Sequence, residues 1–345
     1  MWEKVEGFKN ILFLEGYGFS SNIYALKTSS VSLVDVGNDY TAFFEFREEV
    51  AEISEIDQIF LTHSHNDHTL GLLELFRSYK EFDRVEIFVH ELMKDAVEKR
   101  ARAFGRNVRV VGVRGGEKIN FAGEEMTVLK TPGHTIDSIS LYSEERGTLF
   151  SGDAVVTNPV IDESLGGRLV DYAISLRHIR NHEISAIFPG HGLYALSGIE
   201  KILEKAYLKA ISLLEPDKPL KEAAKKALSL GLVEEAEFAL KKQLEVEFDE
   251  EALYGLASIK ADKGEFEEVK KLLKGFENFE ANHILGVAAL KSGKFDEAEK
   301  YFRRALEIRE DRRVKVLLAT ALYEAGKVDE AMKIEEFKSI LSKIK

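Results

Sequence analysis

Four side chains able to bind a metal ion crowd into six residues. They are His63, His65, Asp67 and His68, in the run Phe60-Leu61-Thr62-His63-Ser64-His65-Asn66-Asp67-His68-Thr69-Leu70-Gly71. Neutral imidazole and carboxylate suit zinc or iron. The apolar lead-in, Ile59-Phe60-Leu61, reads as the end of a buried strand. In an extended segment His63, His65 and Asp67 share one side, because side chains alternate with period two. His68 breaks that alternation, so the chain must turn there to bring it to the same place.

Three other strand ends carry one metal-capable residue each. Leu129-Lys130-Thr131-Pro132-Gly133-His134-Thr135 presents His134, Leu149-Phe150-Ser151-Gly152-Asp153-Ala154 presents Asp153, and Ile187-Phe188-Pro189-Gly190-His191-Gly192 presents His191. Each is an apolar strand, a glycine that lets backbone approach closely, and then one ligand-type side chain. In Ser32-Leu33-Val34-Asp35-Val36-Gly37 a carboxylate, Asp35, interrupts an apolar strand. Buried there it needs a partner, and the expected one is the outer nitrogen of a metal-binding histidine; the alternative is a strand-end turn residue. His90 reads as a loop residue. His178 and His182, four apart on a helix, and His283 in the last third read as solvated or packed residues rather than ligands.

These residues need a scaffold of strand ends. The pattern predicts strands at 11–14, 22–26, 31–36, 56–61, 85–89, 108–113, 126–130, 138–142, 149–150 and 186–188. Helices are expected near 40–52, 70–80, 91–103, 172–182 and 199–214. Glu215-Pro216-Asp217-Lys218-Pro219 marks a domain boundary. The expected domains are therefore 1–214 and 217–345. Beyond the boundary strand signals vanish, and glycines recur at 231, 264, 293 and 326, always opening a turn into a new helix.

Composition narrows the chemistry. The 345 residues contain no cysteine, which excludes disulfides, thiolate ligands and a cysteine nucleophile. Net charge is −12, and residues 1–205 carry −10 of it. An acidic surface opposes the counterion release that drives nucleic-acid binding. No apolar run is long enough for a membrane span, and no basic-then-apolar leader opens the chain, so a cytoplasmic protein is expected.

The pattern His63-x-His65-x-Asp67-His68, then His134, Asp153 and His191, with Asp35 upstream, resembles the metallo-β-lactamase superfamily over about residues 8–195. The resemblance implies an α+β fold: a four-layer αβ/βα sandwich with the site along one edge. It implies that His63, His65 and His134 hold one metal, that Asp67, His68 and His191 hold another, and that Asp153 bridges them. The cofactor implied is two Zn2+, with iron or manganese as substitutes. The glycine period of 33, 29 and 33 resembles the tetratricopeptide repeat, an all-α stack of helical hairpins. Its third copy fits best, through Gly286, Ala298, Phe302 and Ala305. The second departs at Val269 and Phe276, and the fourth puts Glu335 at the aromatic position.

Within the superfamily, the loop at 62–71 and the turn at 188–192 look most like the glyoxalase II, lactonase and small-molecule hydrolase branch. The function expected is hydrolysis of an ester, thioester or lactone-like bond by a metal-activated hydroxide, which Asp67 helps to orient. Two divalent cations and the two aspartates would leave such a site net positive, suited to a transition state gathering negative charge. Flavo-diiron proteins carry Glu at the position of His65, and capped nucleases need a wider spacing than the 38 positions that separate Asp153 from His191. Three alternatives stay open: a mononuclear-iron persulfide dioxygenase-like enzyme, a compact phosphodiesterase or RNase, and a scaffold whose metal domain is structural. Arg168 and Tyr194 are candidates for substrate contact from nearby loops. The helical repeats suggest a protein partner or a second copy of the chain.

Overall fold

The structure is a computed structural model describing residues 1–38 and 41–344. The expected helix start at residue 40 lies outside the described residues. The chain divides into two compact units, Met1–Leu213 and Leu214–Lys345. None of the described helices is long and apolar enough to cross a membrane.

The first unit contains two sheets. Seven strands form the first in sequence order: β1 (Glu3–Lys4), β2 (Ile11–Leu14), β3 (Ile23–Lys27), β4 (Val31–Val34), β5 (Ile56–Phe60), β6 (Glu86–His90) and β7 (Arg109–Val113). β1 to β4 pair antiparallel, and β4 to β7 pair parallel. Parallel neighbours require crossovers. These are α1 (Ala42–Glu49), the pair α2 (Asn66–Thr69) and α3 (Gly71–Ser78), and α4 (Glu91–Ala103). The second sheet holds β8 (Lys118–Phe121), β9 (Glu124–Lys130), β10 (Ile139–Ser143), β11 (Thr148–Gly152) and β12 (Ala186–Pro189), in the order β12-β11-β10-β9-β8. α5 (Leu169–Ile179) crosses between the parallel strands β11 and β12, and α6 (Ile199–Ser212) closes the unit.

Strand alternation assigns the layers. Leu33, Ile59 and Ile87 pack outward against Phe43, Leu72 and Met93 of the helices. Their neighbours Val34, Phe60 and Phe88 point inward and meet Val128, Leu141, Phe150 and Phe188 of the second sheet. Tyr24 and Phe188 make an edge contact across this interior, with centroids 5.3 Å apart. α5 buries Tyr172, Ala173 and Leu176, and the Ser175 hydroxyl donates to the Pro132 carbonyl. Helices, sheet, sheet, helices: the expected sandwich is present.

Both sheets deliver strand ends to one edge. Backbone bonds across that edge tie them together: Ile139 N–H to the Thr62 carbonyl at 2.9 Å, and Asn22 N–H to the Gly190 carbonyl at 2.8 Å. Four local expectations need correction. β4 stops at Val34, and Asp35 follows it in a left-handed conformation (φ +55°) rather than lying within the strand. The helix expected at 70–80 is α3, and a separate helical turn that was not expected, α2, precedes it from Asn66. α5 begins at Leu169 and ends at Ile179, so His178 and His182 do not share a helix. β1 and β8, short and largely solvent-facing, left no apolar run to read.

The second unit is all helix. Hairpins α7 (Leu220–Ser229) with α8 (Val233–Val246), α9 (Glu250–Asp262) with α10 (Phe266–Leu272), α11 (Phe279–Lys291) with α12 (Phe295–Ile308), and α13 (Arg312–Glu324) with α14 (Val328–Ala331) precede α15 (Glu335–Ile344). Gly231, Gly264, Gly293 and Gly326 sit at the hairpin turns with φ between +72° and +80°. Gly286 is required by space: a Cβ there would lie 2.5 Å from the Phe302 ring. Ala298, Phe302 and Ala305 are fully buried beside it. Asp249, Asn278 and Asp311 cap α9, α11 and α13, each accepting a backbone N–H of its helix's first turn. Lys294 and Lys327 reach back to Glu267 and to Asp296 and Glu299, stitching successive hairpins.

Candidate metal centre

The loop after β5 is fixed before its histidines are placed. Asp35 accepts Thr62 N–H on Oδ1 and the Thr62 hydroxyl on Oδ2, both at 2.8 Å. His63 follows, buried. His65 is the last extended residue before α2. That single helical turn swings Asp67 and His68 round, with His68 N–H on the His65 carbonyl at 3.1 Å. It is the turn that the spacing of His68 demanded. From the first sheet, Asn22 Nδ2 donates to the carbonyls of Pro189 and Gly192, and Tyr24 donates its hydroxyl to Pro189, holding the His191 turn that follows β12 of the second sheet. Gly190 in that turn leaves no room for a side chain, since a Cβ would sit 2.3 Å from Asp153 Oδ1 and 2.6 Å from His68 Cε1.

All seven metal-capable residues meet. His65 Nδ1 lies 3.0 Å from His63 Nε2 and 2.9 Å from His134 Nε2. Asp67 Oδ2 is 3.0 Å from His191 Nε2 and 3.6 Å from His68 Nε2. Asp153 stands between the two groups: Oδ2 is 3.4 Å from His134 and 3.6 Å from His191, and Oδ1 is 3.5 Å from His68. Three sets, His63-His65-His134, His63-His68-Asp153 and Asp67-His68-His191, each bring their ligand atoms within 4.8 Å of one another.

The outer face of the rings decides which nitrogen points inward. His134 donates Nδ1–H to the Val160 carbonyl at 2.7 Å, which leaves the Nε2 lone pair facing the cluster. His68 Nδ1 lies 2.7 Å from Asp35 Oδ2, and His65 Nε2 lies 2.9 Å from Asp162 Oδ2. A carboxylate can only accept, so the proton sits on the outer nitrogen and the inner one is free to bind. His63 Nδ1 contacts the Thr62 hydroxyl at 3.1 Å.

Electrostatics favour the uncharged ring, with its inward lone pair, at His63 and His134, whereas the acids around His68 favour its charged form until a cation displaces the inner proton. Burial, added to by the neighbouring imidazoles, holds His63 well below the usual histidine range, and burial lowers His134 too. His68 is raised to about 9: burial opposes charging, but the charge and hydrogen bond of Asp35, with Asp153 and Asp67, outweigh it. Burial works against Asp67 as an anion, yet its bond to His191 brings its pKa below the ordinary carboxylate value, and the same bond raises His191. Five buried side-chain polar atoms among the described residues have no hydrogen-bond partner. Two of them, His68 Nε2 and Asp153 Oδ1, face each other here. Buried polar atoms are normally satisfied. An all-nitrogen-and-oxygen set with two orphaned inward atoms fits a divalent cation of the zinc, iron or manganese kind.

Asp162 could not be found from the sequence. It lies 97 residues beyond His65 in a loop with no motif, where it also caps a short turn through Ser164 and Leu165. The other candidates are not members of the ligand groups. Arg168 precedes α5 with an exposed side chain 3.8 Å from Asp171. Tyr194 packs edge-on against Phe13 at 5.3 Å and near Phe188. His90 caps α4, His182 lies on the Tyr142 ring, and His283 stacks on Phe279.

The profile of the metallo-beta-lactamase superfamily matches residues 16–191, half of the chain and every residue of the cluster. The chain belongs to the metallo-beta-lactamase superfamily. A tetratricopeptide repeat profile matches residues 289–334, within the helical unit. Among similar proteins, the Probable metallo-hydrolase YqjP of Bacillus subtilis is 26% identical over 54% of this chain and 70% of its own length. A Beta-lactamase-like protein 2 homolog of Caenorhabditis elegans is 30% identical over 54% of this chain and 59% of its own. A Hydroxyacylglutathione hydrolase of a Synechococcus strain is 34% identical over 31% of this chain and 38% of its own. The chain thus spans less than two thirds of the length of the latter two.

Proposed function

We propose that this superfamily member is a metal-dependent hydrolase that cleaves an ester, thioester or lactone-like bond of a small substrate. The observation that carries the reading is the meeting of seven metal-capable side chains with inward lone pairs, spread over two groups that share Asp153. His63, His65 and His134 are the ligands of one cation, and Asp67, His68 and His191 those of the other. Zinc is the preferred metal, with iron or manganese as substitutes. Divalent cations bound there would lower the pKa of water to roughly 7 and polarise an acyl oxygen. Asp35, Asp162 and Val160 fix the tautomers of His68, His65 and His134. Asp67, kept ionised well into the acid range by His191, accepts the hydrogen of the incoming water and aims its oxygen at the acyl carbon. Thr62 and Asn22 tie the two sheets so that neither half of the ligand set can drift.

The relatives named as a metallo-hydrolase and as a hydroxyacylglutathione hydrolase support hydrolysis, the second pointing to thioesters. Residues 1–214 are the catalytic domain in this reading. Residues 217–345 are a repeat domain that engages a protein partner or a second copy of the chain. The test is a panel of chromogenic esters, a thioester, a lactone, a β-lactam and a phosphodiester, offered to the full chain reconstituted with zinc, manganese or iron. Turnover of an acyl substrate that is lost with chelator and in Asp153→Asn supports the reading. Oxygen consumption with a persulfide, or cleavage of the phosphodiester alone, replaces it.

A further inference from the structure

A cavity of about 570 Å3 opens beside His191. Its walls are apolar: Val155 and Val156, which follow Asp153 in the chain, with Ile187, Leu193 and Ile202. That size and lining match a small-molecule pocket, where apolar walls take the body of a ligand and a few polar groups orient it. Leu193 and Ile202 are exposed, at 72% and 36%, although both belong to the cavity wall. An uncovered apolar surface that borders a metal-capable histidine is suited to the apolar part of a substrate.

The charge on this wall runs against the charge of the unit. Residues 1–205 carry a net −10, yet no carboxylate lines the cavity, and its one cationic chain is Lys205 of α6. Among the described residues no carboxylate forms an ion pair with Lys205, whereas Lys218, Lys221 and Lys225 further along are all paired. Ile202, Lys205 and Ala206 present one face of α6 to the cavity, because residues three and four apart share a helix side.

Resting on the hydrolase reading, we propose that this cavity is the acyl pocket and that Lys205 selects anionic substrates: esters or thioesters whose apolar acyl chain ends in a carboxylate. The chain lies along Val155, Ile187 and Ile202, its carboxylate pairs with Lys205, and the scissile acyl carbon reaches the cluster beside His191.

The test uses the full chain loaded with zinc and 4-nitrophenyl half-esters of dicarboxylic acids of four to eight carbons, each beside the uncharged ester of equal length. At the best length kcat/KM should favour the charged ester by about tenfold, the scale of a partly exposed charged hydrogen bond. Lys205→Ala should remove the preference, and Lys205→Glu should reverse it. No preference at any length, or a preference that survives Lys205→Ala, overturns the proposal. A second readout does not need turnover: calorimetric binding of the matching mono-anilides, charged and uncharged. Tighter binding of the charged anilide, lost in Lys205→Ala, upholds the pocket even when no ester is cleaved, and only the hydrolase reading then falls. Equal binding of the two anilides refutes the pocket assignment.

Discussion

Replacing Asp35 by Asn should separate the two halves of the metal centre. Asn is the same size and tolerates the left-handed backbone at this position (φ +55°), so the loop keeps its path. The change lies in the protons. Asp35 is 2% exposed and accepts three bonds, from Thr62 N–H, the Thr62 hydroxyl and His68 Nδ1. The backbone donor cannot turn away, so the amide oxygen of Asn takes Thr62 N–H and its NH2 faces His68. His68 must then accept at Nδ1 and carry its proton on Nε2, the atom that faces Asp67 and Asp153. Losing charge-assisted bonds in a buried site should cost about 2–4 kcal/mol of stability. Reversing the tautomer should weaken the cation at Asp67-His68-His191 by about ten- to a hundredfold. The cation at His63-His65-His134 should weaken less, since only His63, and only through the Thr62 hydroxyl, is linked to Asp35. Competition with a graded chelator, read by metal analysis, measures both sites, and thermal unfolding measures the stability term. An Asp35→Asn protein that holds both cations as tightly as the wild type would refute the tautomer argument.

Asp162→Asn should be the mirror image: its amide keeps the cap at Ser164 but presents NH2 to His65 Nε2, so the His63-His65-His134 cation weakens by about tenfold in the same competition assay. In the metal-free protein, stability should peak near pH 6.5. His68, raised to about 9, favours folding below about 6.5 and loses that contribution as pH climbs through about 9, and His191, also raised, loses its own as pH climbs above about 6.5. His63 and His134, both lowered, favour folding above about 6.5 and lose it as pH falls. Melting temperatures from pH 5 to 10 with chelator should fall on both sides, and Asp35→Asn should flatten the alkaline side. Phe302→Ala should cost the helical unit about 3–5 kcal/mol, seen as a lower midpoint of its helical unfolding signal, because the ring fills the space left by Gly286.

How far the sequence could be read depended on range. The strand-end runs at 59–71, 129–135, 149–154 and 187–192 combine an apolar strand, a glycine and a metal-capable residue within a few positions, so local pattern alone exposed them. The sandwich and the helical stack were legible for the same reason, through period-two runs and the recurring hinge glycines. Asp162 was not, because its role exists only where a loop from far along the chain meets the back of His65. Asp35 was visible as an anomaly, with a strand-end turn as one of its two readings, but its left-handed backbone was not, since a non-glycine residue gives no local sign of a positive φ. Lys118-Ile119-Asn120-Phe121 was missed as β8 because an edge strand with two of its four residues exposed and only Phe121 buried need not be apolar. The window 172–182 misplaced α5 because the helix starts at Leu169, against the Gly133 turn, and only the fold shows that contact.

The central claim is that two cations are held by side chains that share Asp153. Metal analysis of the full chain, reconstituted and then freed of excess, tests it most directly beside Asp153→Ala. The account predicts two equivalents per chain in the wild type and fewer than one in the variant. One equivalent or none in the wild type, or two in both proteins, would contradict it.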